Sequence, residues 1–138
     1  MSPAFKIIAV TTASVVALIG LAYLLVTGIG KPISTDLSVI GQGKPVLVLV
    51  YENYSPRSAD AFERLRQVMD DYEPRLGFVV ADLGVPQGRA FADRYQLVNG
   101  QALFLKQDGE PLQAMNVPTN EQELRSHLDA KLAAAAES

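Results

Sequence analysis

Pro45 to Tyr51, PVLVLVY, decides how this chain folds. Val and Leu run there without a polar break and end in an aromatic, the composition of a strand buried on both faces and therefore central in a sheet. The next residues, Glu52-Asn53-Tyr54-Ser55-Pro56-Arg57-Ser58, contain a helix-opening pair: Ser55 supplies a hydroxyl for the cap and Pro56 suits the first helical position. Phe62, Leu65, Met69 and Tyr72 then fall at helical spacing, Arg64, Arg66, Asp70 and Asp71 lie outside that stripe, and Pro74 stops the helix. Leu76 to Leu83 (LGFVVADL) predicts a second buried strand, followed by a loop at Gly84 to Gly88 and a short helix over Arg89 to Tyr95. Ala102 to Lys106 (ALFLK) and Leu112 to Val117 (LQAMNV) predict two strands joined through Gln107-Asp108-Gly109-Glu110, where Asp-Gly is a strong hairpin signal. Thr119 with Gln122 spells a capping box, and Leu124, Leu128 and Leu132 line a last helix. The order is βαβ, α, ββα, with the first strand pair in the pattern of a parallel crossover.

Upstream of this domain, Ile7 to Ile29 contains no Asp, Glu, Lys, Arg, His, Asn or Gln. As a helix it covers roughly 35 Å, enough for a hydrocarbon core of about 30 Å. The competing reading, a cleaved signal peptide, fits less well, because its apolar run is usually about 7–15 residues and Thr27-Gly28-Ile29-Gly30-Lys31 is a weak cleavage site. The expected organisation is a tail at 1–6, a transmembrane helix at 7–30, a linker at 31–44 and the folded domain at 45–138. Lys6 on one side of the span nearly balances Lys31 and Lys44 on the other. A short tail before a large domain favours an N-in signal anchor with the domain exoplasmic, in periplasm or lumen, although Lys31 at the boundary points the other way. The expected location is a bacterial inner membrane. Ala9, Ala13, Ala17 and Gly20 form a stripe of small side chains along the span, the kind of face on which transmembrane helices pack closely. Within the linker, Leu37-Ser38-Val39-Ile40 reads as one short strand.

Composition excludes several chemistries. The 138 residues hold 12 basic and 15 acidic side chains; removing the span and what precedes it takes Lys6 alone, leaving 11 against 15, a net of −4. Such a domain is a poor partner for nucleic acid. With no Cys there is no disulfide and no thiolate ligand, and one His, His127, makes a structural zinc or copper site improbable. No phosphate loop, nucleophile–base pair or metal set is visible, so no cofactor is expected.

With these landmarks the chain resembles the thioredoxin fold from Pro45 to Leu132. VLVLVYENYSPRS looks like the central strand running into the active-site turn and helix, and FVVADLG like the strand that follows. RAFADRYQLVNGQALFLKQDGE resembles the stretch from the short helix through the substrate-side turn into the terminal hairpin, and ELRSHLDAKL the closing helix. The resemblance implies an α/β fold of minimal thioredoxin-like form, a central mixed sheet with flanking helices, because Ser34 to Lys44 is too short for the extra strand and helix of full-length members. It also implies where chemistry would sit. The two cysteines of active members, activated at a helix start, correspond to Ser55 and Ser58; the aromatic before them to Tyr54; the buried acid to Leu49; and the cis-proline to Gln101, where a trans bond is expected because a non-proline cis bond costs about 3 kcal/mol. Serine cannot form a disulfide. The resemblance therefore implies a redox-inactive member that keeps the peptide-binding surface of its relatives, here Tyr54, Ser55, Arg57, Ser58, Asn99 and Gln101.

Read individually, Ser55 is a helix cap rather than a nucleophile, and Tyr54 and Arg57 should protrude at the helix tip, where such residues often anchor partners. Asp82 should cap a loop, Asp70, Asp71 and Glu73 should form a solvated helix end, and Ala133 to Ala136 a fraying tail. The expected function is that of a non-catalytic accessory or assembly subunit of a membrane complex, contacting other subunits through the Ala9, Ala13, Ala17 and Gly20 face of the span and through the Tyr54–Ser58 and Asn99–Ala102 surface. A transient chaperone, and less readily a thiol-independent enzyme or a redox protein borrowing partner cysteines, are the alternatives.

Overall fold

The computed structural model describes residues 12–23 and 32–137, in two compact units that divide at Pro32 and Ile33. In the first, residues 12–23 are helical (α1) and exposed, including Val15, Val16, Leu18, Ile19 and Leu21. Ala13, Ala17 and Gly20 of the small-residue stripe lie on α1. Ala9 and both ends of the expected 7–30 span lie outside the described residues, and no described helix is long and apolar enough to cross a membrane.

The second unit is built on β1 (Val46–Tyr51). It is followed by α2 (Pro56–Tyr72), β2 (Gly77–Asp82), α3 (Pro86–Tyr95), β3 (Gln101–Leu105), β4 (Pro111–Asn116) and α4 (Glu121–Ala136). The four strands stand in the order β2-β1-β3-β4. β1 runs parallel to β2, as a helical crossover requires, and antiparallel to β3, which pairs antiparallel with β4. Strand alternation sends Leu47 and Leu49 into a core shared with Leu65, Val68 and Tyr72 of α2 and Leu124 and Leu128 of α4. Val46, Val48 and Val50 face the other way, against Phe91 and Ala92 of α3. The apolar run of β1 is thus explained by two cores, one on each face of the sheet.

Several local readings change once tertiary contacts are present. Leu37 to Ile40 is not a strand: Leu37–Val39 forms a short 3-10 helix because Asp36 accepts from the Ser38 N–H and hydroxyl. The linker meets the sheet earlier, at Ser34, whose carbonyl accepts from the Val80 N–H at 2.8 Å in a parallel bridge beside β2. The last helix is capped by Asn120, whose side chain accepts from the Glu123 N–H at 3.1 Å, rather than by Thr119 with Gln122; Asn serves this position at least as well as Thr. The predicted fraying tail is docked: Ala135 is buried, and its carbonyl accepts from the Gln107 side chain in the β3–β4 turn.

α3 begins at Pro86, three residues before the expected start, and takes in Gly88. That glycine is a packing device. A Cβ there would stand 1.9 Å from the Asp82 carbonyl oxygen, so the helix can lie this close to the end of β2 only without one. Asp71 is exposed, as expected of the helix end, and also pairs with Arg125 at 2.8 Å between α2 and α4. Beneath that pair the buried Tyr72 hydroxyl donates to Asp129 at 2.9 Å. Burial and the Asp129 carboxylate hold the phenol above the usual tyrosine range.

Two outcomes follow from this packing. Gly88→Ala should cost about 3 kcal/mol in urea unfolding, since the overpacked contact is backbone and cannot swing away. Tyr72 contributes stability that is complete below the ordinary tyrosine value near 10 and is lost as pH rises through its higher folded-state value. Tyr72→Phe should therefore flatten the alkaline limb of a melting-temperature profile.

Candidate functional site

At the carboxyl end of β1 the chain turns sharply. The Ser55 N–H donates to the Glu52 carbonyl at 3.3 Å, closing a turn in which Tyr54 takes φ +65°. A left-handed backbone costs an L-residue about 1 kcal/mol or more, and glycine or asparagine would sit there with less strain. α2 then starts at Pro56 with Ser55 as its cap: the Ser55 Oγ accepts from the Ser58 N–H at 3.4 Å. Ser58 is fully buried (0% exposed), and its Oγ accepts from the Glu52 N–H at 3.1 Å. Both hydroxyls are therefore engaged with the backbone of the turn they stabilise.

The facing turn is carried by β3 but held by β1, since the Gly100 N–H donates to the Val50 carbonyl at 2.8 Å. Asn99 bridges the two sides. Its Oδ1 accepts from the Ser55 hydroxyl at 3.1 Å, and its Nδ2 donates to a Glu52 carboxylate oxygen at 3.0 Å. Serine, amide and carboxylate form a chain here, but an amide cannot pass a proton as an imidazole does. No described hydrogen bond or ion pair brings a base to either serine: His127 is on α4, with its Nε2 3.8 Å from Glu123. The described residues hold no group of three His, Cys, Asp or Glu able to bind a metal.

Arg57 is exposed at the helix tip, as expected, but lies back over the facing turn. Its stem lies over Gly100, where an added Cβ would meet the Arg57 Cγ at 2.7 Å, and its guanidinium donates to the Asn116 Oδ1 at 3.1 Å. Gln101, which the thioredoxin resemblance sets at the cis-proline position, donates to the same oxygen at 3.5 Å and accepts from the Val98 N–H at 3.1 Å. No cis peptide bond occurs among the described residues. Leu49, in the position of the buried acid, is 1% exposed and packs in the α2–α4 core. Tyr54 remains apart from this network, with its side chain wholly exposed at 103%.

The six residues singled out in sequence thus gather at one end of the sheet; among their side chains, those of Ser55, Ser58, Asn99 and Gln101 are bonded to one another or to nearby backbone, and those of Arg57 and Gln101 to Asn116. Two participants escaped sequence reading, Glu52 and Asn116, while Gly100 fell within the Asn99–Ala102 turn already expected on this surface. For Asn116 the signal lay in the hairpin register, which sets it opposite Gln101. Asp82 caps its loop, accepting from the Gly84 N–H at 2.7 Å. At the other end of β1 a shallow groove of about 610 Å³ is lined by Pro45, Arg75, Gln107, Asp129 and Leu132, away from these residues.

No family model matches the chain, and no curated protein matches it. Solved structures do. Trxlp from Edwardsiella tarda superposes with a TM-score of 0.59 at 14% identity, over 70% of this chain and 98% of that one. A thioredoxin-like protein from Clostridium perfringens gives 0.61 at 15%, over 71% and 79%, and Fasciola hepatica thioredoxin 0.54 at 18%, over 65% and 83%. The fold is thioredoxin-like, an α/β domain with a mixed four-strand sheet and flanking helices.

Asn99→Ala removes both bridging hydrogen bonds and should destabilise the domain by about 1–2 kcal/mol in urea unfolding, whereas Arg57→Ala, which loses an exposed bond, should cost less than half as much.

Proposed function

We propose that this chain is a membrane-anchored, non-catalytic thioredoxin-like protein that serves as an accessory or assembly subunit of a membrane protein complex. The observation that carries the reading is the fate of Ser55 and Ser58. The resemblance sets both where redox-active thioredoxins have their cysteines, and both hydroxyls are hydrogen-bonded within the turn and helix start, with no base among the described partners. A position occupied by cap and buried acceptor offers a fixed shape rather than a reactive group. The sequence adds the anchor, since 7–30 is the one stretch apolar and long enough to span, and the expected placement of the domain is exoplasmic. The partners are other membrane subunits, met through the span and through the surface around Tyr54.

Purification of the tagged full chain from its own membranes in mild detergent, followed by native mass measurement, tests this. A stoichiometric complex is the expected result. A chain that migrates alone overturns the reading, and substoichiometric capture of immature proteins replaces it with a transient chaperone.

A further inference from the structure

Resting on the membrane-anchored reading, we infer that the folded domain is tethered to the bilayer by a stalk of two residues, Lys31-Pro32, so that the span and the domain grip one and the same integral membrane subunit. The segment from Ile33 to Lys44, expected as linker, is bound to the domain along its length. Ile33 is buried among the core residues of α2 and α4. The Ser34 carbonyl accepts from the Val80 N–H, and Leu37 and Ile40 pack on the α3 side of the sheet. Gly41 takes φ +78° against the β3–β4 turn, where an added Cβ would meet the Asp108 carbonyl oxygen at 3.3 Å. The Gly43 N–H donates to the Gln107 carbonyl at 3.0 Å, and the Lys44 ammonium donates to the Glu73 carbonyl.

These contacts decide how far the domain can reach. A free 31–44 segment would extend up to about 48 Å, whereas Lys31 and Pro32 alone supply roughly 10 Å. The bridge from Ser34 to Val79 is parallel, so the chain enters from the Gly77 end of β2, and Ser55 and Asn99 stand at the opposite end of the sheet, beyond Tyr51 and Asp82. A strand as long as β1 covers about 20 Å. The surface around Ser55 and Asn99 therefore lies within roughly 30 Å of the point where the span ends. Over so short a distance the neighbour of the span is also the neighbour of the domain, because packed helices stand about 8–10 Å apart. Two contacts joined by a short tether act as one bivalent contact, each raising the effective concentration of the other. A soluble partner would meet the domain alone and gain nothing from a short stalk; an integral membrane subunit that also packs on the span gains the whole advantage.

The test uses the full chain with and without about 20 Gly/Ser residues inserted between Pro32 and Ile33, which add roughly 25 Å of average reach. The chain has no Cys, so a fluorophore on Thr35→Cys, an exposed position beside the stalk, reports one site. In phosphatidylcholine vesicles carrying a headgroup nitroxide lipid, the parent label should lose most of its emission and the inserted chain should recover it. In native membranes the insertion should lower recovery of the stoichiometric subunit at least tenfold, with the melting temperature of the domain unchanged. A parent label that stays bright on a vesicle-bound chain overturns the stalk and leaves the accessory-subunit reading standing. Full recovery of the subunit despite the insertion overturns the shared grip in favour of a single sufficient contact. A lower melting temperature on insertion places the domain boundary before Pro32 and overturns the two-residue stalk. A quenched parent that co-purifies with nothing overturns the accessory-subunit reading and the grip with it, and a chain that stays out of the vesicles overturns the anchor on which both rest.

Discussion

The burial of β1 on both faces is the constraint from which the rest of the domain follows. Six residues, Val46–Tyr51, lie between two apolar cores and between two neighbouring strands. A strand so placed needs helices on both sides, α2 and α4 on one and α3 on the other. Its carboxyl end must also deliver the chain directly into α2. The turn at Glu52–Ser55 is that delivery, and the opposing turn is hung from the same strand through the Gly100–Val50 bond. The relative position of the two turns is thus set by one strand and its partners, with no separate loop to vary it.

What was legible in the sequence depended on how local the cause was. The apolar runs of β1 and β2, the Ser55-Pro56 helix start and the Asp108-Gly109 hairpin rest on residues close in sequence, and the structure has them within one or two positions. The docking of Ala135 and the posture of Arg57 depend on side chains far along the chain, and short-range pattern could not reach them; the 3-10 turn at Leu37 rests on the neighbouring Asp36 cap, a local signal that the apolar run obscured. Gly88 shows the limit well. As a loop signal it was ambiguous, and only the approach of α3 to the Asp82 carbonyl explains it. The six site residues were located by resemblance and do gather. Periodicity could not reveal that amides bind them together, because Asn99 and Asn116 act across a sheet.

Those amides determine the character of the surface. Asn99 uses both ends of its side chain, one as acceptor and one as donor, and Asn116 receives two donors on one oxygen. Among the described residues no buried side-chain nitrogen or oxygen lacks a partner. The amides themselves carry no titratable proton and no redox-active atom. The surface is therefore built for constancy of shape.

The linker bridge at Ser34 bears on how the sheet assembles. A sheet has two outer strands, and each exposes a row of unpaired backbone groups that invites pairing with another chain. Here β4 is guarded geometrically, by Pro111, which has no N–H to offer, and by the register shift opposite Phe104 and Leu105. β2 has no such guard within itself: Gly77–Asp82 is apolar until its last residue. Its protection comes from Ser34, a residue some forty positions earlier, which seals the middle of the strand. The few residues before the 3-10 turn thus cover part of an otherwise open strand edge, and they also belong to the core, since Ile33 is buried with the α2–α4 cluster.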